Sequence, residues 1–166
     1  MHINSPSTLL VAALVLVLCT VCDRAAKHAA DSLRGKPPRE IAGGLMTLTY
    51  AENRGAMLSL GAGLPERPRF LILTAGVGLV LTAIAGVILF AGTLSRPLVI
   101  ALSLILAGGG SNLFDRFANN GRVVDFVTLG AGGIRTGIFN LADVAIMFGA
   151  SLFLVTMIRR QSARTA

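Results

Sequence analysis

Four long apolar segments constrain the fold of this chain more than any other feature. They cover residues 7–23, 70–91, 97–114 and 138–158, and the second contains no charged residue. An α-helix rises 1.5 Å per residue, so ~20 apolar residues cross the hydrocarbon core of a bilayer. Only 14% of the 166 residues are charged and 54% are hydrophobic, whereas soluble domains have roughly 25% charged residues. The sequence therefore predicts an all-α membrane protein with four transmembrane helices in one domain, residues 1–166.

The first loop, about residues 36–68, is too long to be a plain connection. Within it, residues 45–50 alternate in polarity and include the β-branched Thr47 and Thr49, which is typical of a short strand. Loops of this length are usually functional when they are ordered. We therefore expect this loop to form a small β-containing cradle on the extracytoplasmic side of the bilayer.

Charge predicts the orientation of the spans. Four spans put both termini on one side, which carries Arg96, Arg159, Arg160 and Arg164 and no acidic residue. The other eleven Lys and Arg residues (15 minus 4) lie on the opposite face, but long loops weigh less in the positive-inside rule. We therefore expect cytoplasmic termini. The net charge is +7, but the basic residues do not form a stripe interleaved with aromatic residues. Nucleic acid is therefore not an expected partner.

Cysteine and histidine usage argues against a metal or redox site. Cys19 and Cys22 form a C-x-x-C within the first apolar segment, where they fit best as small apolar core residues. His2 and His28 are the only histidines, and no cluster has the spacing of metal ligands. We expect no metal and no cofactor.

Polar residues from several segments converge at one membrane face. Asp23 and Lys27 end the first span four residues apart, so they share a helix face. Taken alone, they form either a salt pair at a helix end or part of a site at the membrane surface. Asp125 lies in the last loop, and the third and fourth spans contribute Asn112, Asp115, Arg116, Asn140 and Asp143. Ionisable groups at membrane depth are costly, so they are functional candidates.

Asp125 and Asp143 are the candidates for chemistry. Two carboxylates that face each other in a low-dielectric site share one proton, which we expect near neutral pH here, and the pair then contains both an acid and a base. Such a pair can activate water for attack on an amide carbonyl. Carboxylates in helices also relay protons or ions in carriers, and structural charge pairs are a third possibility. The spacing alone leaves all three open.

Five segments in order carry a resemblance to a known family. They are DRAAK at 23–27, NRGAMLS at 53–59, GGSNLFDR at 109–116, VVDF at 123–126 and FNLADVAI at 139–146. They resemble the boxes of lipoprotein signal peptidase, or signal peptidase II: D-Q-x-[TS]-K, N-x-G-A-x-F-S, G-x-x-x-N-x-x-D-R, V-V-D-F and F-N-x-A-D-x-x-I. The similarity covers nearly the whole chain.

The resemblance implies a function and a set of site residues. It implies an aspartic-type intramembrane endopeptidase of the bacterial inner membrane, with Asp125 and Asp143 as its catalytic pair. Its substrates would be prolipoproteins, cleaved before a cysteine that bears diacylglycerol, and its other partners would be membrane lipids. The supporting residues would be Asp23, Lys27, Asn53, Gly55, Asn112, Asp115, Arg116 and Asn140. Asp115 would fix the loop and Arg116, and we expect a monomer.

The chain also departs from the family pattern. Arg24 and Ala26 replace the usual Gln and Thr or Ser, and Leu58 replaces Phe. The glycine-rich residues 129–138 lack the usual Trp-containing loop. These differences concern substrate preference and inhibitor sensitivity, while both aspartates are present. The competing hypothesis, a proton-coupled carrier or a membrane scaffold, would more often show internal repeats, which this sequence lacks.

Overall fold

Four long helices form the body of the molecule. The computed structural model describes residues 4–56, 60–92, 94–131 and 133–165. The helices are α1 (Pro6–Asp31), α2 (Glu66–Phe90), α3 (Arg96–Ala118) and α4 (Leu141–Thr165). Each is long and apolar enough to cross a membrane, and in α4 the stretch with this property is Leu141–Ala163. The predicted class, an all-α membrane protein with a small β-sheet, is confirmed.

Several helix ends differ from the predicted spans. α1 continues through Asp31 and α3 through Ala118, past the polar residues at which the apolar segments end. The prediction followed hydropathy, and these polar residues sit inside regular helix because other buried polar groups satisfy them. The fourth helix begins at Leu141 rather than at residue 138, because Asn140 caps it.

α2 contains a change of helix type near its start. Glu66–Phe70 is α-helical, Leu71–Gly76 is a π-helix, and Val77–Phe90 is α-helical again. The helix therefore begins at Glu66, inside the predicted first loop and before the predicted span of residues 70–91. π-Helical segments are rare and are frequent at functional sites.

α3 is the central helix of the bundle. Of its membrane-spanning window 56% is buried, compared with 11% to 22% for the other three. Its most extensive contacts are with α4 and α1. A Cβ atom on Gly108 would lie 2.3 Å from the Ala142 carbonyl oxygen, and one on Gly149 would lie 2.7 Å from that of Ala101. Glycine at these positions lets α3 and α4 approach closely.

The cradle is a four-stranded antiparallel sheet. Its strands are β1 (Arg39–Ile41), β2 (Met46–Asn53), β3 (Val123–Ala131) and β4 (Ile134–Arg135), in that order across the sheet. β2 pairs with β3 from Met46 opposite Leu129 to Asn53 opposite Val123. Half of the strands thus come from the loop between α3 and α4, whereas the sequence predicts a cradle from the first loop alone.

The two ends of the bundle differ in chemistry. At the end where α1 starts, an apolar cluster forms around Ala12, Ile88, Leu98, Val99 and Leu102. There the Asn4 side chain donates 2.6 Å to the Ile88 carbonyl and accepts 3.3 Å from the Leu94 amide, which satisfies backbone groups at the α2–α3 turn. The buried charges lie at the other end, below the sheet.

Candidate active site

Asp125 and Asp143 line one cavity at the polar end of the bundle. Asp125 lies in β3 and Asp143 in the first turn of α4, and their exposed fractions are only 2% and 7%. The cavity has a volume of about 240 Å³, and Asn53, Asn112 and Arg116 are also among its lining residues. Strand and helix thus bring together two carboxylates that are 18 positions apart in sequence.

Asn140 connects the two carboxylates. Its Oδ1 accepts 2.9 Å from the Asp143 amide, and Asp143 Oδ2 accepts 3.3 Å from the Asn140 amide. This reciprocal pair is a capping box at the start of α4. The Asn140 Nδ2 also donates 2.7 Å to Asp125 Oδ1. One residue therefore starts the helix and holds both aspartates.

Asn112 of α3 holds the other oxygen of Asp143. Its Nδ2 donates 2.9 Å to Asp143 Oδ1. Its Oδ1 accepts from Lys27 Nζ at 2.9 Å and from Asn140 Nδ2 at 3.1 Å. Because two donors face this oxygen, the orientation of the amide is fixed with its NH₂ group on the carboxylate.

Asn53 plays the corresponding part for Asp125. Asn53 lies at the end of β2, and its Nδ2 donates hydrogen bonds of 3.0 Å to both Asp125 Oδ2 and the Ala56 carbonyl. Its Oδ1 accepts a hydrogen bond of 2.8 Å from the Gly55 amide. Both oxygens of Asp125 therefore receive an amide donor, one from each side of the cavity.

Lys27 and Asp23 form an ionic layer behind the aspartate pair. Lys27 is 2% exposed, and its Nζ lies 2.9 Å from Asp23 Oδ2 and 2.8 Å from Asp115 Oδ2. Asp23 also accepts 2.8 Å from the Ala142 amide and 2.5 Å from the Ser111 hydroxyl. A carboxylate near a helix N-terminus is stabilised by the helix dipole. Through these contacts, Asp23 holds the start of α4 against α1 and α3.

Asp115 connects this layer to β3. It is fully buried, forms ion pairs with Lys27 and Arg24, and accepts 3.2 Å from the Val124 amide. It therefore positions the residue that precedes Asp125. Sequence reasoning missed the part of Arg24, which also lies 4.9 Å from the Phe114 ring centroid. Sequence reasoning also missed Ser111, whose hydroxyl bonds Asp23. The signal that could have found it is its position next to Asn112.

Arg116 joins α3 to the first loop. Its Nη2 donates 2.9 Å to the Gly55 carbonyl and its Nη1 donates 3.4 Å to the Asn112 carbonyl. Its Nε is buried and has no hydrogen-bond partner among the residues that the structure describes. Arg116 thus holds Gly55 at the cavity wall and retains one unused donor.

The electrostatics of the cluster favour the protonated form of Asp125. Burial raises the pKa of Asp125 to about 6, and the charge of Asp143 raises it further, against the hydrogen bonds from Asn53 and Asn140 and the charge of Lys27. Four buried carboxylates (Asp23, Asp115, Asp125 and Asp143) face three cations (Arg24, Lys27 and Arg116). A single proton on the aspartate pair balances these charges.

All ten predicted site residues lie in or beside this cluster. They are Asp23, Lys27, Asn53, Gly55, Asn112, Asp115, Arg116, Asp125, Asn140 and Asp143. Leu58, one of the departures from the family pattern, lies outside the described residues. Within the described ranges, no three His, Cys, Asp or Glu side chains are grouped to hold a metal ion. The expectation of a metal-free site remains a prediction.

Comparison with known proteins places the chain among membrane peptidases. A family model described as signal peptidase (SPase) II matches residues 15–159. The lipoprotein signal peptidase of Syntrophus aciditrophicus (strain SB) is 36% identical over 126 residues, 74% of this chain and 75% of that protein. That of Caldicellulosiruptor bescii is 32% identical over 146 residues, 87% and 89% of the two chains.

Solved structures show the same fold. A bacterial membrane enzyme solved by the in meso method at 2.3 Å resolution superposes with a TM-score of 0.75 at 23% identity, over 98% of this chain and 95% of that one. A second, solved at 1.9 Å, has a TM-score of 0.68 at 23% identity, over 95% and 97%. At this identity the likeness concerns the fold alone.

Proposed function

The chain belongs to the signal peptidase II family, and from that membership we propose that it removes signal peptides from prolipoproteins as an aspartic-type endopeptidase. Four apolar helices and this family fit a multi-pass protein of the bacterial inner membrane. The observation that carries the aspartic mechanism is the position of Asn140, which hydrogen-bonds Asp125 and Asp143 at the wall of one cavity.

The proposed reaction uses the two aspartates as one acid–base unit. The ionised partner removes a proton from water, whose oxygen bonds to the scissile carbonyl carbon, while the protonated partner gives its proton to the carbonyl oxygen. When the C–N bond breaks, the leaving amine takes the proton gained from water, and the hydroxyl proton returns to the other carboxylate. The pair ends with one proton, as it began. With a pKa of about 6, Asp125 can hold and release a proton near neutral pH.

The remaining residues would position this unit. Asn53, Asn112 and Asn140 orient the carboxylates, and Lys27, Asp23 and Asp115 fix the elements that carry them. The substrate would be a diacylglyceryl-modified prolipoprotein cleaved before its lipid-bearing cysteine. The cradle would cover the scissile bond at the extracytoplasmic face. Membership of a peptidase family favours this function over a proton-coupled carrier.

The test is cleavage of a diacylglyceryl-modified prolipoprotein by the purified protein in detergent. We expect Asp125→Asn and Asp143→Asn to reduce cleavage by about 100-fold or more, because each removes half of the acid–base unit. Asp31→Asn is the matched control, since Asp31 is an exposed acid outside the cluster. Unchanged cleavage by either folded aspartate variant would refute the aspartic mechanism, and the unmodified prolipoprotein tests the requirement for the lipid.

A further inference from the structure

A second, larger cavity lies beside the candidate active site. Its volume is about 660 Å³, and it lies between the first half of α2 and the end of α3. Arg67, Phe70, Leu71 and Thr74 line it from α2, and Arg116 and Phe117 line it from α3. Arg116 also lines the cavity of the aspartates, so one side chain borders both.

Cations outnumber acids around this cavity. Arg67, Arg69 and Arg116 line it together with a single carboxylate, Glu66. Arg69 is engaged elsewhere, because its Nη1 donates to the carbonyls of Ala62 and Leu64. Arg67 is exposed and forms no ion pair within the described part of the chain. Arg67 therefore leaves one guanidinium group without an anion at this cavity.

The cavity is polar at its outer end and apolar toward the membrane. Arg67 lies in the first turn of α2, where the positive end of the helix dipole also favours an anion. The next turns contribute Phe70 and Leu71, which are 51% and 61% exposed, and α3 contributes Phe117 at 68%. The π-helix Leu71–Gly76 forms part of this wall. A lipid with an anionic headgroup and acyl chains would match this arrangement of cations next to an apolar groove.

We propose that this cavity binds one anionic phospholipid of the surrounding bilayer. The headgroup phosphate contacts Arg67, and the acyl chains lie along Phe70, Leu71 and Phe117. A neutral diacylglyceryl lipid fits less well, because it brings no charge to the Arg67 guanidinium group. Since Arg116 also holds the Gly55 carbonyl at the aspartate cavity, the bound lipid lies one side chain away from the candidate active site.

Native mass spectrometry of the purified protein tests this proposal. The protein is released from micelles that contain equal amounts of dioleoylphosphatidylglycerol and dioleoylphosphatidylcholine. We expect one phosphatidylglycerol to be retained in preference to phosphatidylcholine. Arg67→Gln should weaken this retention by about tenfold, because it removes a charge-assisted bond to phosphate, and Arg67→Lys should keep most of it.

Arg39→Gln is the matched control, because Arg39 is an exposed arginine of β1 that does not line the cavity. Its lipid retention should equal that of the wild type. Equal retention of the two phospholipids by the wild type would overturn the proposal, as would identical behaviour of the Arg67→Gln and Arg39→Gln variants. Displacement of the bound phosphatidylglycerol by an equal amount of dioleoylglycerol would also overturn it, since the cavity would then take a neutral lipid.

Discussion

At the scale of single residues, Asn140 combines two roles that substitutions can separate. Its side-chain oxygen caps α4, and its NH₂ group faces Asp125, Asn112 and the Val124 carbonyl. The capping task stabilises the helix, whereas the contact with Asp125 concerns the candidate chemistry. Two substitutions can therefore separate the tasks.

We expect Asn140→Ala to lower both stability and cleavage. Loss of the cap costs about 1 kcal/mol, and loss of a hydrogen bond to a charged group lowers kcat/KM by roughly tenfold to a hundredfold. Asn140→Ser should restore most of the stability, because Ser is a good N-cap, while cleavage stays low. The measurements are the unfolding midpoint in detergent and kcat/KM. Full recovery of cleavage in the Ser variant would contradict the proposed contact with Asp125.

The raised pKa of Asp125 predicts a pH dependence of stability. The folded protein holds this proton more tightly than the unfolded chain does, because the pKa is raised from 3.8 to about 6. The resulting stabilisation is complete below about pH 4 and is lost as the pH rises through about 6. Its size is roughly 3 kcal/mol, at ~1.4 kcal/mol per pKa unit.

The measurement compares thermal unfolding of the wild type and Asp125→Asn between pH 4 and 7. The midpoint of the wild type should fall relative to that of the variant as the pH rises, because the carboxylates outside the aspartate pair titrate equally in both proteins. Parallel curves for the two proteins would contradict a raised pKa at Asp125.

At the scale of elements, the contact between α3 and α4 controls the position of Asp143. Gly108 lies against the first turn of α4, and a Cβ there would lie 2.3 Å from the Ala142 carbonyl oxygen. Gly108→Ala should therefore push the turn that carries Asp143 away from α3. We expect a loss of about 1–3 kcal/mol of stability together with reduced cleavage.

Gly86→Ala is the control for this prediction. Gly86 lies within α2, and a Cβ there meets no atom within 4 Å. Alanine in a helix interior is favoured over glycine by about 0.5–1 kcal/mol, so this variant should be as stable as the wild type or more so. Thermal unfolding and cleavage assays of both variants make the comparison, and equal behaviour of the two would contradict the close approach at Gly108.

The elements that could be predicted from sequence are those with local signals. The four helices follow from apolar length, and residues 45–50 fall largely within β2. β3 and β4 were missed, because the residues of β3 pair with residues of β2 that lie 70 to 83 positions earlier, and because the end of β3 is rich in glycine. The sequence marks Arg24 only as a departure from the family pattern, because its ion pair with Asp115 joins residues 91 positions apart. Local patterns cannot reveal such contacts.

At the scale of the whole molecule, the arrangement of charges predicts which face lies in the cytoplasm. The candidate active site and the sheet lie at one end, while the start of α1 and the end of α4 lie at the other with the apolar cluster. Arg159 and Arg160 are exposed near the end of α4, and Arg96 begins α3 at the same end. Basic residues close to short loops and span ends favour the cytoplasmic side. Cytoplasmic termini would place the aspartate pair at the extracytoplasmic face, as the proposed function requires.

Labelling of single cysteines in intact cells tests this orientation. In a background of Cys19→Ala and Cys22→Ala, we expect a membrane-impermeant maleimide to react with Lys36→Cys and not with Arg160→Cys until the cells are lysed. Both positions are exposed, so the lysed sample controls for reactivity. The reverse pattern would put the termini outside. It would also mean that the eleven basic residues of the other face, rather than the arginines at the short span ends, determine the orientation.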